Sequence, residues 1–209
     1  MSDPGGERAS APAVDPEELA RANLYGLVSR LFYDPADPNL LAEICHGGQS
    51  AAGQESAPGL AAAWRRLQEA SQRAHPAVVR QEYDGLFVGV GKAEVTPYLS
   101  AYAESAAPDR YLVRLREQLA AWGLARRENV GEVEDHISGI TDVMRWLIEK
   151  RHPLAEQREF FEGFAYPGAT PFFVAVHNAA SAGYFKLVAG FASSFFELEK
   201  AAFEMEDNA

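Results

Sequence analysis

Asp135-His136-Ile137-Ser138-Gly139-Ile140-Thr141-Asp142-Val143-Met144-Arg145-Trp146-Leu147-Ile148 is the stretch on which the fold class turns. Ile137, Ile140, Met144, Leu147 and Ile148 recur every three or four residues, which lays one apolar stripe along a helix and leaves polar groups opposite. His152-Pro153 ends that helix, because proline cannot continue the backbone hydrogen-bond ladder.

The same period continues in both directions. Asp15-Pro16-Glu17-Glu18 supplies a cap, a proline in the first turn and acids at the positive end of the helix dipole. Leu24, Leu27, Val28 and Leu31 then form one face of a helix that stops near Asp34-Pro35. A short helix follows over Leu40 to Ile44, and Leu60, Ala63, Trp64, Leu67 and Ala70 repeat the spacing. Pro76 restarts a helix carrying Val79, Tyr83, Leu86 and Phe87, which Gly89 and Gly91 end. Asp109 is expected to cap a helix with Leu112, Leu115, Leu119 and Trp122 on its face, closed by Gly123. A short helix spans roughly Leu154 to Phe164. After Tyr166-Pro167-Gly168, Thr170 is expected to cap a long final helical region with Phe172, Val176, Leu187, Val188, Phe191, Phe195 and Leu198. No sustained alternation of period two is found. The expectation is an all-α fold, a single compact bundle of about seven to nine helices over residues 15–209. Residues 1–14 read as a disordered tail, and about 46–59, rich in Gly, Ser and Gln, as a mobile loop.

Composition narrows the function. The 209 residues are 47% hydrophobic with 12 Phe, enough for a substantial core. A net charge of −11 argues against a phosphate backbone as partner, so no nucleic acid is expected. It suits a basic peptide, or simply a soluble protein. Cys45 is the single cysteine, so an internal disulfide and a cysteine zinc cluster are both excluded. No apolar run approaches the roughly 20 residues of a membrane span. The first fourteen residues have no apolar core of a secretory signal, and the internal Arg65-Arg66 and Arg126-Arg127 pairs are not followed by one. A cytoplasmic protein without stable membrane insertion is expected.

Most catalytic templates fail. Gly89-Val90-Gly91-Lys92 lacks the Ser or Thr after Lys and the preceding strand of a phosphate loop. Cys45 and His46 are adjacent in the chain, a poor arrangement for a nucleophile and its base. Glu132, Glu134, Asp135 and His136 form the densest polar cluster. Three readings stay open for it: caps on the helix that follows, a metal site, or the acidic edge of a pocket that receives a basic group. Tyr83, Leu86 and Phe87 have the spacing of ordinary core, but the following loop holds Pro97, Tyr98 and Tyr102, unusually aromatic for a solvated connection. Tyrosine offers apolar area with one hydrogen bond, which suits a peptide groove. Core and groove are both consistent with these residues.

Taken in order, these segments resemble the TorD/DmsD-type chaperones of molybdenum-containing redox enzymes, related to the NarJ-type nitrate reductase chaperones. The family's aromatic-x-x-Leu-Phe motif, then Gly, then Pro-Tyr-x-Ser, is matched by Tyr83-Asp84-Gly85-Leu86-Phe87, Gly89 and Pro97-Tyr98-Leu99-Ser100. Its Glu-Pro-x-Asp-His-Ile motif reads Glu132-Val133-Glu134-Asp135-His136-Ile137, with Val133 in place of proline. Its Pro-Trp before the last long helices reads Pro171-Phe172. The resemblance covers about residues 17–203 and implies a non-catalytic helical chaperone without cofactor. Such a protein binds the twin-arginine leader, the apo-form, or both, of a molybdopterin-dependent oxidoreductase catalytic subunit of anaerobic respiration. It assists cofactor insertion and holds back export. Carried over, the leader site comprises Tyr83, Leu86, Phe87, Pro97, Tyr98, Glu132, Asp135 and His136. The client stays unnamed, and monomer and domain-swapped dimer are both allowed. Competing expectations are a helical metal-dependent hydrolase using Asp135 and His136, and a guanine-nucleotide-binding regulator.

Overall fold

A computed structural model describes residues 15–47, 58–88, 93–104, 106–124 and 134–206. Proline in the first turn starts α1 (Pro16–Tyr33), α2 (Pro38–His46), α4 (Pro76–Tyr83) and α6 (Pro108–Ala121), where its fixed φ fits the helix and its missing N–H is not needed, whereas in α9 (Tyr166–Asn178) Pro167 follows helical backbone directly. Asp15 and Asp37 accept the backbone N–H of Glu17 and Asn39, so both helices open on a side-chain cap. The others are α3 (Pro58–Ser71), the single turn α5 (Ser100–Ala103), α7 (Ile137–Glu149), α8 (Leu154–Phe160) and α10 (Tyr184–Glu206). A π turn over Asp84–Val88 continues α4, and a second over Phe161–Ala165 joins α8 to α9 without a break, so among the described residues the ten α segments make nine continuous rods. Among the described residues there is no strand, only one isolated bridge between Tyr98 and His136. The all-α expectation holds.

α1 packs along α7, and α10 lies against α9 and α3. Among the described residues, the buried apolar side chains other than Leu41 form one cluster. Phe32 near the end of α1 is a hub, with its ring 5.2 Å from Phe172, 6.0 Å from Phe87 and 6.0 Å from Phe185. Each of these contacts adds edge or tilted ring geometry to plain area burial. A buried polar network joins the first helix to the last. Arg21 Nε and Nη2 donate to Glu199 at 3.0 and 2.9 Å, and Tyr25 Oη donates to Glu199 at 3.0 Å. Burial works against the Arg21 charge, yet the Glu199 and Glu18 carboxylates outweigh it and hold the guanidinium firmly protonated. Burial, reinforced by the Glu199 charge, keeps the Tyr25 phenol protonated too.

Both π turns leave backbone groups out of the regular ladder, and both find partners for them. Leu86 C=O accepts Val95 N–H at 2.9 Å, and Phe164 C=O accepts the Tyr111 hydroxyl at 2.6 Å. Burial, with the neighbouring Asp135 charge, holds that Tyr111 phenol well above its ordinary range.

Several local expectations are corrected. Asp109 is not a cap: α6 begins one residue earlier at Pro108, with Ala107 in the cap position and Asp109 in the first turn. Thr170 caps nothing, because Tyr166-Pro167-Gly168 is helical and Thr170 lies inside α9. The expected final helix is two, α9 and α10, separated by residues 179–183. α-geometry in α4 ends at Tyr83, before the glycines assigned to end it, because the π turn takes over at Asp84. His46 belongs to α2, its Nδ1 2.7 Å from Ala42 O, and Pro58 and Gly59 belong to α3. The remainder of that expected loop, 48–57, and the tail 1–14 lie outside the described residues.

Candidate functional site

The two sequence motifs meet through backbone. Leu99 N–H donates to Asp135 C=O at 2.9 Å and Ile137 N–H to Pro97 C=O at 3.0 Å, the pair of bonds that makes the antiparallel bridge between Tyr98 and His136. The side chains follow. The Tyr98 and His136 rings meet edge to face at 5.6 Å. Asp135 is 1% exposed, and its Oδ2 accepts Ser100 N–H at 3.2 Å. The acid therefore holds the opening of α5 rather than capping its own helix. The cap of α7 is His136, whose Nδ1 accepts Ser138 N–H at 3.2 Å and lies 2.7 Å from Ser138 Oγ.

Glu134 faces outward enough to pair with Arg116 at 3.2 Å. A carboxylate here thus already takes a guanidinium, the group expected of a bound arginine. Glu132 lies outside the described residues. Among the described residues, no group of three or more His, Cys, Asp and Glu gathers as a metal site would require.

The first motif sits one layer deeper. Leu86 and Phe87 are core, and Tyr83 is half-buried with its hydroxyl donating to Phe32 C=O at 3.0 Å. Pro97 is buried as well, and Tyr98 is half-buried. Connection to the bridge runs through Val95, bonded to Leu86, and through rings. Phe87 lies 6.1 Å from Phe172, and Phe172 lies 5.8 Å from Tyr102. The Tyr102 hydroxyl in turn donates to Thr96 C=O at 2.9 Å, fixing the loop that carries Tyr98.

Three positioning residues escaped the sequence reading. Ser100 stands in the matched Pro-Tyr-x-Ser segment, yet its role is a backbone N–H. Gly168, placed ahead of the final helical region by the sequence, lets α9 touch the site: a Cβ there would fall 2.7 Å from Leu99 Cβ and 2.8 Å from Leu99 O. Glu82, one residue before the motif, accepts the N–H groups of Gly183, Tyr184 and Phe185 at 2.7, 3.0 and 2.8 Å. It thereby caps α10 from α4 and sets where the Tyr83–Phe87 turn lies. An acid immediately ahead of an aromatic motif was its sole signal.

Fold and site define an all-helical protein in which two distant polar and aromatic motifs are fastened together by a short backbone bridge. The family model for the nitrate reductase delta subunit matches residues 54–173, more than half of the chain. The chain belongs to that family, the NarJ-type relatives among the redox-enzyme maturation chaperones to which its motifs point. In fold it is similar to a protein from Archaeoglobus fulgidus provisionally described as a redox enzyme maturation protein, at 18% identity and a TM-score of 0.54, covering 93% of this chain and 99% of that one. No curated protein matches the sequence.

Proposed function

We propose that this chaperone binds the twin-arginine leader of a molybdopterin-dependent oxidoreductase catalytic subunit in the cytoplasm, assisting cofactor insertion and holding back export until it is done. It does so by binding alone, without catalysis. The observation that carries this reading is the Tyr98–His136 bridge, which brings the Pro97-Tyr98 and Asp135-His136 motifs to one place. Leaders join paired arginines to an apolar stretch, so their receptor needs a carboxylate beside aromatic surface. Glu134, with Glu132 nearby in sequence, receives the guanidinium groups, while Tyr98, the His136 edge and Tyr83 take apolar side chains. Leu86, Phe87, Pro97 and Asp135 form the floor and hold its shape, in keeping with their burial.

The test is calorimetric titration with leaders of molybdoenzyme subunits encoded beside this protein. Binding is expected, weakening as salt rises. Tyr98→Ala is expected to weaken it about tenfold or more, the scale of a central aromatic anchor. No binding of any such leader, or unchanged affinity in Tyr98→Ala with intact circular dichroism, overturns the proposal.

A further inference from the structure

Glu134 and Asp135 are neighbours in the chain, yet only one of them can exchange its partner. Asp135 is 1% exposed and accepts Ser100 N–H, so it serves the bridge from within. Glu134 is drawn towards the first turn of α7, where Gly139 lets its backbone close in: a Cβ there would lie 3.2 Å from Glu134 O. The Glu134 side chain is 17% exposed, and a carboxylate so far removed from water is costly to leave without a cation.

Arg116 of α6 supplies that cation, but loosely. Its Nη2 donates end-on to Glu134 Oε2 at 3.2 Å, and its own side chain is 54% exposed. Arg114, two residues earlier, is held twice, by Glu104 and over the Phe164 ring at 5.6 Å from its centroid. An end-on, half-exposed pair contributes little and gives way to a guanidinium that grips both carboxylate oxygens.

We propose that Arg116 is an internal stand-in for a leader arginine. It keeps Glu134 paired while the site is empty, and an incoming guanidinium displaces it by making the two-bond fork that Arg116 does not make. This rests on the reading of Glu134 as a leader acceptor and adds the residue that sets how selective that acceptor is. A bare Glu134 would attract any basic peptide. With Arg116 in place, charge alone gains little by exchange, so a peptide must also bring apolar side chains to Tyr98 and His136.

The probe is a synthetic twin-arginine leader peptide of a molybdoenzyme subunit encoded beside this protein, titrated calorimetrically into the full chain. Arg116→Ala is expected to bind it about two- to fivefold tighter, the range of a half-exposed ion pair. Its thermal unfolding is expected to stay close to that of the parent. Arg110→Ala removes the same charge from the same helix, at an exposed position with no acid paired to it among the described residues, and is expected to change affinity less than about twofold. In nitrogen-labelled protein, the Arg116 Nε–H resonance, assigned by its loss in Arg116→Ala, is expected to move to the position of a free arginine as the leader saturates the site. Equal or weaker binding by Arg116→Ala, an equal gain in Arg110→Ala, or an Arg116 resonance unmoved at saturation overturns this inference and leaves the leader site standing. No binding by the parent and Arg116→Ala alike overturns the leader reading, and this inference with it.

Discussion

Replacing Glu82 by Ala tests whether the α4–α10 clamp stabilises the fold. The carboxylate takes three backbone N–H groups, Gly183 and Phe185 on Oε1 and Tyr184 on Oε2. A hydrogen bond to a charged group is worth about 1.5–3 kcal/mol net. Three donors share one half-exposed acid, and Gly183 can turn to water, so the sum is smaller than three such bonds. We expect Glu82→Ala to cost about 2–4 kcal/mol, a fall in Tm of about 5–12 °C for a chain of this size. Glu82→Gln keeps Oε1 for two of the donors but sets an amide against Tyr184 N–H and loses the charge at the helix dipole, so about half that loss is expected. Urea and thermal unfolding by circular dichroism measure both variants, and hydrogen exchange at Gly183, Tyr184 and Phe185 locates the effect. A loss below about 0.5 kcal/mol in Glu82→Ala, with exchange at those amides unchanged, would refute the reasoning.

Gly168→Ala forces a Cβ to within 2.7 Å of Leu99 Cβ, and a loss of about 1–3 kcal/mol by overpacking is expected, with shifted Tyr98 and His136 resonances in NMR spectra. Glu199→Ala removes the main partner of Arg21 and the acceptor of the Tyr25 hydroxyl while Glu18 stays paired with the guanidinium, so about 2–3 kcal/mol is expected in urea unfolding, with Glu199→Gln milder because it still accepts from the Tyr25 hydroxyl. Tyr111→Phe removes the hydroxyl that serves Phe164 C=O in the second π turn and is expected to cost about 0.5–1.5 kcal/mol by the same measurement. Glu94 is held below the usual carboxylate range by the Ser181 hydroxyl and then the Ala180 N–H. Its contribution is therefore present above the pKa of the unfolded chain and lost as pH falls through the lower folded value. An NMR titration that finds Glu94 at the ordinary glutamate position removes this contact.

Regular structure was legible wherever one local signal sufficed. Ile137 to Ile148 announced α7 by spacing alone, and Asp15-Pro16 placed the start of α1. The errors fall where a distant partner overrides the local signal. Tyr166-Pro167-Gly168 has the composition of a turn, yet it continues the helical backbone of the second π turn, and Gly168 is required by Leu99 on another element. Asp135 has the position of a cap, yet the Ser100 N–H claims its carboxylate. The π turns carry no sequence mark, because their freed carbonyls are satisfied by Val95 and Tyr111 from elsewhere. For the site, residue types were readable while depth was not. Spacing cannot say whether Phe87 lies on a groove or beneath it, and its rings against Phe32, Phe172 and Phe185 place it in the core.

The Arg21–Glu199 pair joins residues 178 positions apart, and α1 also needs α7 to cover its apolar face. During synthesis, α1 emerges early and must wait for partners translated much later. Until α10 arrives, Arg21 and Tyr25 keep their polar groups in water, and Phe195 and Phe196, which pack on Tyr25, are not yet made. Co-translational folding of this chain is therefore held open until α10 has emerged, and a ribosome stalled before α10 displays an aromatic surface that general holdase chaperones bind.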